Sequence, residues 1–386
     1  MSQCMIHSSP SRAVLTAIGL LALLLASGSV LAQDAPPAKG RAANAVPARA
    51  DVVAIMRRAA DYQLAEQAKK KPSNDWIRAA FYTGVMALHD TIQADAAGGG
   101  GDAKYRDAAV AWGELSKWTP PRDQRHADAL CCGQTYLDLY AADKDEKKIA
   151  PFRAAVDRMI ETRQPGRVDW WWCDALFMAP PAFARLARQT GDDKYLKFMD
   201  EMWWDATDFL YDQEAGLYYR DNKFFLPKTT RNGKKIFWSR GNGWVAAGTV
   251  RVLDAMPQSF PSRGKYVELH QRMAAEVIKL QGADGLWRSS LLDPDEFPTP
   301  ETSGTAFFTY ALAWGINHGT LDRETYLPHV LKGWAGLVSK VTPQGRLTHV
   351  QRVAASPEKI GPNDTHEYAV GAFLLAGSEI VKLEPR

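Results

Sequence analysis

The chain has 386 residues, 46% of them hydrophobic and 24% charged, which is the composition of a globular protein rather than a disordered one. Its 47 basic and 44 acidic residues leave a formal charge of +3, too small a surplus to argue for a nucleic-acid partner. Thirteen Trp stand beside fourteen Phe, and Trp offers a flat apolar face with one N–H donor, suited to sugar rings as well as to core.

Residues 1–32 read as a signal peptide. Arg12 precedes the apolar run AVLTAIGLLALLLASGSV, and Val30-Leu31-Ala32 gives the small-x-small pattern of a cleavage site after Ala32. The competing reading is an uncleaved membrane anchor, for which the run is short. Residues 33–50 are Ala/Pro-rich, lack apolar periodicity and read as a linker. Residues 51–386 then form one domain, expected to be periplasmic or secreted and free of the membrane once the signal is removed. Its oligomeric state is not legible in the sequence.

From residue 51 onward, apolar residues recur at spacings of three and four, as in DVVAIMRRAADYQLAEQAKK, and strand-like alternation is rare. A weak repeat runs through these helices. A helix rich in small residues ends, a short turn follows, and a Tyr-bearing segment opens the next helix, at Tyr105, Tyr195, Tyr266 and Tyr326. Gly-Leu-aromatic turns follow at 216–218 and 285–287, with a variant at 345–347. About six helical hairpins fit the length, which predicts an all-α fold closed as an (α/α)6 barrel. The loops after the inner helices are expected to carry the functional Trp, Arg and Asp, at one end of the ring.

Four segments carry candidate chemistry. RHADALCCGQTYLDLY places Asp128 at a helix start, where it serves either as a cap or as a functional carboxylate. WWWCDALFMAPP does the same for Asp174, behind three consecutive Trp whose poor solvation raises a carboxyl pKa and suits a general acid. FWSRGNGWVAAG packs Trp238, Arg240, Asn242 and Trp244 around two glycines, with Arg240 able to pair bidentately with a carboxylate. PETSGTAFF and His366 stand before two further helices, the His either lining the same rim or capping. Cys131, Cys132 and Cys173 match no zinc pattern and read as buried free thiols. No HExxH, GxSxG, Walker or paired CxxC motif is present, so no metal and no other cofactor is expected.

Together these segments resemble the unsaturated rhamnogalacturonyl and glucuronyl hydrolases of glycoside hydrolase family 105 and the related family 88. The most specific pieces are Trp-x-Asp-Ala-Leu-Phe-Met-Ala at 172–179 and Trp-Ser-Arg-Gly-Asn-Gly-Trp at 238–244, with 301–305 and 371–379 adding to them. The resemblance implies an (α/α)6 barrel and metal-free hydration of the 4,5-unsaturated uronyl ends that polysaccharide lyases leave on oligosaccharides. It implies Asp174 as acid/base and Asp128 as its partner, with Trp172, Trp238, Arg240 and Trp244 contacting substrate. Arg220 stands where studied members carry His, which points to a different or more anionic aglycone, a sulfated one included. The alternatives are a polysaccharide lyase or an inverting glycosidase on the same helical toroid, or a non-catalytic carbohydrate-binding protein.

Overall fold

The spacings of three and four become helices whose apolar stripes face inward. α1 (Arg49–Gln67) buries Val52, Ile55, Met56, Ala59, Ala60 and Gln63, one stripe of its surface. The computed structural model describes residues 45–94, 102–121, 124–164 and 167–383. The expected signal peptide and most of the expected linker lie outside them, and α1 begins two residues inside the segment read as linker.

After α1 follow α2 (Trp76–Gln93), α3 (Lys104–Leu115), α4 (Ala127–Leu130), α5 (Cys132–Asp143), α6 (Ala150–Glu161), α7 (Ala175–Met178) and α8 (Pro180–Thr190). The chain continues through α9 (Lys194–Leu210), α10 (Ser239–Ala255), α11 (Arg263–Lys279), α12 (Thr302–Asn317), α13 (Arg323–Val338) and α14 (Glu367–Ile380). One antiparallel ladder, β1 (Tyr211–Asp212) with β2 (Leu217–Tyr218), sets Tyr211 opposite Tyr218. α2, α5, α8, α10, α12 and α14 pack in that order and close on α2 again, forming the inner ring of six. The alternate long helices, α1, α3, α6, α9, α11 and α13, form the outer layer, giving the expected (α/α)6 barrel.

Inner helices pack on all sides, and their composition follows from that. Every residue of α14 is buried, and α10 exposes only Asp254. Ring closure depends on glycine: a Cβ on Gly84 of α2 would lie 2.3 Å from the Gly371 carbonyl oxygen of α14. Any side chain there would force the first and last inner helices apart. The tyrosine repeat stitches the outer layer. The Tyr105 hydroxyl donates to Asp61 of α1 at 2.9 Å, Tyr195 to Asp157 of α6 at 2.8 Å, and Tyr266 to Asp200 of α9 at 3.1 Å. The Gly345 turn, at φ 99°, sits against the Arg58 carbonyl of α1 and joins the last hairpin to the first.

Candidate active site

All inner helices run the same way, so their N-termini gather at one end of the ring. The segments leading into them are long, at 68–75, 116–126, 162–174, 211–238, 280–301 and 339–366. The site is therefore built by loops that precede the inner helices, not by loops that follow them as expected from the sequence. The reason is chain direction: after α8, α10 and α12 the chain turns into the outer layer within 191–193, 256–262 and 318–322.

Neither aspartate caps a helix with its side chain, although Asp174 holds the N-cap position of α7. His126 holds the N-cap of α4, its Nδ1 accepting from the Asp128 N–H at 3.3 Å, and Asp128 lies inside the first turn. Asp174 has helical backbone and its carboxylate accepts no capping hydrogen bond. It is 8% exposed, with Oδ2 at 3.5 Å from Arg220 Nε and 3.5 Å from the Cys173 thiol. The Cys173 N–H donates to the Arg220 carbonyl at 2.9 Å, and this backbone bond holds Arg220 beside Asp174. Cys131, Cys132 and Cys173 are free and buried, as expected.

Arg220 bonds Asp221 through Nη1 at 2.6 Å and lies over the Trp171 ring at 5.2 Å. Its Nε has no hydrogen-bond partner among the described residues. The tryptophans named from the sequence are placed differently from expectation. Trp172, Trp238 and Trp244 are 2%, 1% and 0% exposed, so none presents an open face to a sugar. Trp172 packs its ring at 4.6 Å from His126, and Trp244 sits among Phe177, Phe307 and Trp76. They are the rigid backing of the site. Trp171, beside Arg220, and Trp76 are half-buried instead.

Arg240 also departs from expectation. Its Nη1 donates to the Gln351 carbonyl at 2.7 Å and its Nη2 to the Arg352 carbonyl at 2.9 Å, between the rings of Trp238 and Tyr368. The fork expected to grip a uronate is spent on backbone, because loop 339–366 folds over it. Its charge still reaches Asp174. Arg240→Lys keeps that charge but loses the planar fork that reaches both carbonyls. We expect it to cost about 1–3 kcal/mol of stability, read by urea unfolding. An unchanged midpoint would show that the fork does not hold the loop.

Asn242 locks the same region. It accepts from the Tyr218 N–H at 2.8 Å and donates to the Tyr218 and Trp238 carbonyls, both at 3.0 Å, fixing the turn that carries Arg220 against α10. Glu301 caps α12 through Ser303 N at 2.9 Å and Gly304 N at 2.6 Å and accepts from the Gln351 N–H at 3.2 Å. His366 caps α14 through Glu367 N at 3.2 Å. Of the two readings left open for that His, capping is the one seen.

The electrostatics set the carboxyls apart from the rest. Burial pushes the Asp128 carboxyl up to about 7, the Asp174 charge adds to it and the Arg220 guanidinium opposes it. Burial also raises Asp174, while Arg220 and Arg240 pull it back down. Burial, rather than mutual repulsion, is therefore the largest cause in both. His366 is lowered to about 4 by burial and by Arg240 and Lys70, so it is neutral near pH 7. Among the described residues no group of three or more His, Cys, Asp or Glu is placed to hold a metal ion.

Sequence reasoning missed His126, Trp171, Gln351 and Tyr368. His126 was findable as the residue in the cap position two before Asp128. Trp171 was hidden between two identical neighbours, and Gln351 lies in a loop without periodicity.

Residues 50–384 match the model of Glycosyl Hydrolase Family 88. An unsaturated 3S-rhamnoglycuronyl hydrolase of Formosa agariphila is 36% identical over 360 residues, 86% of this chain and 91% of the relative. A solved family 88 glycosyl hydrolase from Bacteroides vulgatus superposes with TM-score 0.79 at 31% identity, covering 87% of this chain and 99% of its own. A solved protein described as a polysaccharide lyase superposes equally well, TM-score 0.79 at 34% identity, covering 86% and 97%.

Proposed function

The chain belongs to glycosyl hydrolase family 88, and from that premise we propose how its site acts. The protein is a glycoside hydrolase that removes the 4,5-unsaturated uronyl residue from the non-reducing end of lyase-generated oligosaccharides. The observation that carries the assignment of the site is Asp174: a buried carboxyl that accepts no capping bond, 3.5 Å from a half-buried guanidinium, at the end of the barrel where the inner helices begin.

The substrate's C4=C5 bond is an enol ether conjugated to a carboxylate. Asp174 gives its proton to C4, and positive charge develops on C5 and the ring oxygen. The resulting Asp174 carboxylate takes a proton from water as the water oxygen bonds C5. The C5 hemiketal opens to a ketone, leaving a hemiacetal at C1, which expels the aglycone as an alcohol. One water is consumed, and Asp174 ends protonated as it began. Asp128 accepts from ring hydroxyls and holds the second carboxyl of the pair. Such a pair need not show the separations that sort retaining from inverting glycosidases.

Arg220 and Trp171 supply a cation and an aromatic face beside Asp174. That combination suits an anionic aglycone such as a sulfated rhamnose, and the Formosa agariphila relative is named for a 3S-rhamnoglycuronyl substrate. The Arg12-led apolar run supports export, with cleavage after Ala32.

Incubation with unsaturated oligosaccharides made by several lyases tests the reading. The ultraviolet absorbance of the conjugated double bond should fall as a keto product and a shortened saccharide appear. Rising absorbance on intact polysaccharide would establish a lyase instead, and turnover of saturated analogues an ordinary glycosidase.

A further inference from the structure

A cavity lies at the other end of the barrel, where the inner helices finish. It has a volume of about 910 Å³ and all six inner helices line it. Along α10 alone, Arg240 at the catalytic end and Arg251 at this end are separated by eleven residues, about 16 Å of helix. The hydration chemistry uses none of this cavity.

Two buried donors in its wall have no hydrogen-bond partner among the described residues. Arg251 is 4% exposed, its Nε donates to Gln134 Oε1 at 2.7 Å, and its Nη2 is unpartnered. Trp314 is 2% exposed, and its Nε1 is likewise unpartnered. Asp138 does not answer Arg251, because it is bonded to Arg185 at 2.8 Å. A second guanidinium is thus buried beside Arg185 without a carboxylate of its own, an arrangement that costs free energy until an anion enters. Burial and the Arg185 charge disfavour the Arg251 cation, and Tyr310 and the Asp138 charge offset them only in part.

The remaining lining narrows the anion's class. Asp90, Asp254 and Glu379 stand around the same cavity, as do Arg188 and Lys382. The carboxylates accept from hydroxyl groups, which a simple anion supplies poorly. Tyr310 and Trp314 add aromatic wall, and the volume exceeds that of a simple ion. We infer that this rear cavity is a second binding site, for a hydroxylated carboxylate of monosaccharide size, with Arg251 and Trp314 donating to the carboxylate and Asp90 and Asp254 accepting from hydroxyls.

The test uses the full chain with glucuronate, glucose and inorganic phosphate in separate titrations, combined with hydrogen–deuterium exchange. Glucuronate should bind at least about tenfold more tightly than glucose or phosphate and protect the C-terminal halves of α2 and α10. Arg251→Gln should weaken it about tenfold or more, with kcat and KM on the unsaturated substrate unchanged. If that variant does not fold, Asp90→Asn serves: the position is exposed, and loss of its charge should tighten phosphate relative to glucuronate. Protection confined to the catalytic end, phosphate or glucose binding as tightly as glucuronate, or an unaltered preference in Asp90→Asn would each overturn the inference.

Discussion

Replacing Asp174 with Asn is expected to lower kcat at least about 10²–10⁴-fold, the range that general acid–base assistance contributes. The structure makes the experiment clean. The Asp174 carboxylate caps no helix, so the amide removes no bond that α7 depends on. Arg220 keeps its 2.6 Å pair with Asp221 and stays in place. Asn is also neutral, and burial already disfavours the charged form of this side chain, so the folded state should be no less stable than wild type. Substrate binding should survive largely unchanged, which makes the loss one of kcat rather than KM. Turnover of the wild-type enzyme in D₂O should place deuterium at C4 of the keto product. Full turnover by a folded Asp174→Asn protein, or product without label at C4, would remove Asp174 from the acid/base role.

The barrel was legible because each of its devices leaves a local mark. Apolar spacing gives the helices, and the recurring Tyr that opens outer helices marks bonds to Asp61, Asp157 and Asp200. Asp128 and Asp174 were legible as chemical candidates, but their competing reading as caps could be decided only by backbone geometry. Cap and functional carboxylate share a sequence position and differ in which N–H groups they meet. The aromatic residues misled for a different reason. A Trp against the site and a Trp behind it look alike in sequence, and burial separates Trp171 from Trp170 and Trp172. Arg240 was misread because its partners, the carbonyls of 351 and 352, lie more than a hundred residues away in a loop with no pattern.

That long-range closure has a functional side. Loop 339–366 is bound to α10 through Arg240, to α12 through Glu301 and to Trp238 through the Gln351 side chain at 2.9 Å. The Tyr368 hydroxyl of α14 also donates to the Gln351 carbonyl. Charge and shape near Asp174 are therefore fixed before substrate arrives, so little reorganisation is left to the chemical step.

Replacing Asp128 with Asn should reduce turnover about 10²-fold, through lost contacts to ring hydroxyls and lost order in the acid pair. It should also move the pH profile. The two carboxyls titrate as a pair, and the raised value of about 7 on Asp128 includes the Asp174 charge. With Asn at 128 the step near 7 disappears, and Asp174 titrates alone, raised by burial and pulled back by Arg220 and Arg240. The limb on which activity falls as pH rises should therefore lose the contribution of Asp128 and change its midpoint. Stability supplies an independent readout. A carboxyl whose folded pKa lies above its unfolded value has its stabilising effect below the unfolded value, and loses it as pH rises through about 7. Asp128→Asn should therefore match wild type near pH 4 and exceed it by about 1–3 kcal/mol above pH 7. An unmoved limb together with unmoved stability at high pH would show that Asp128 does not share its proton with Asp174.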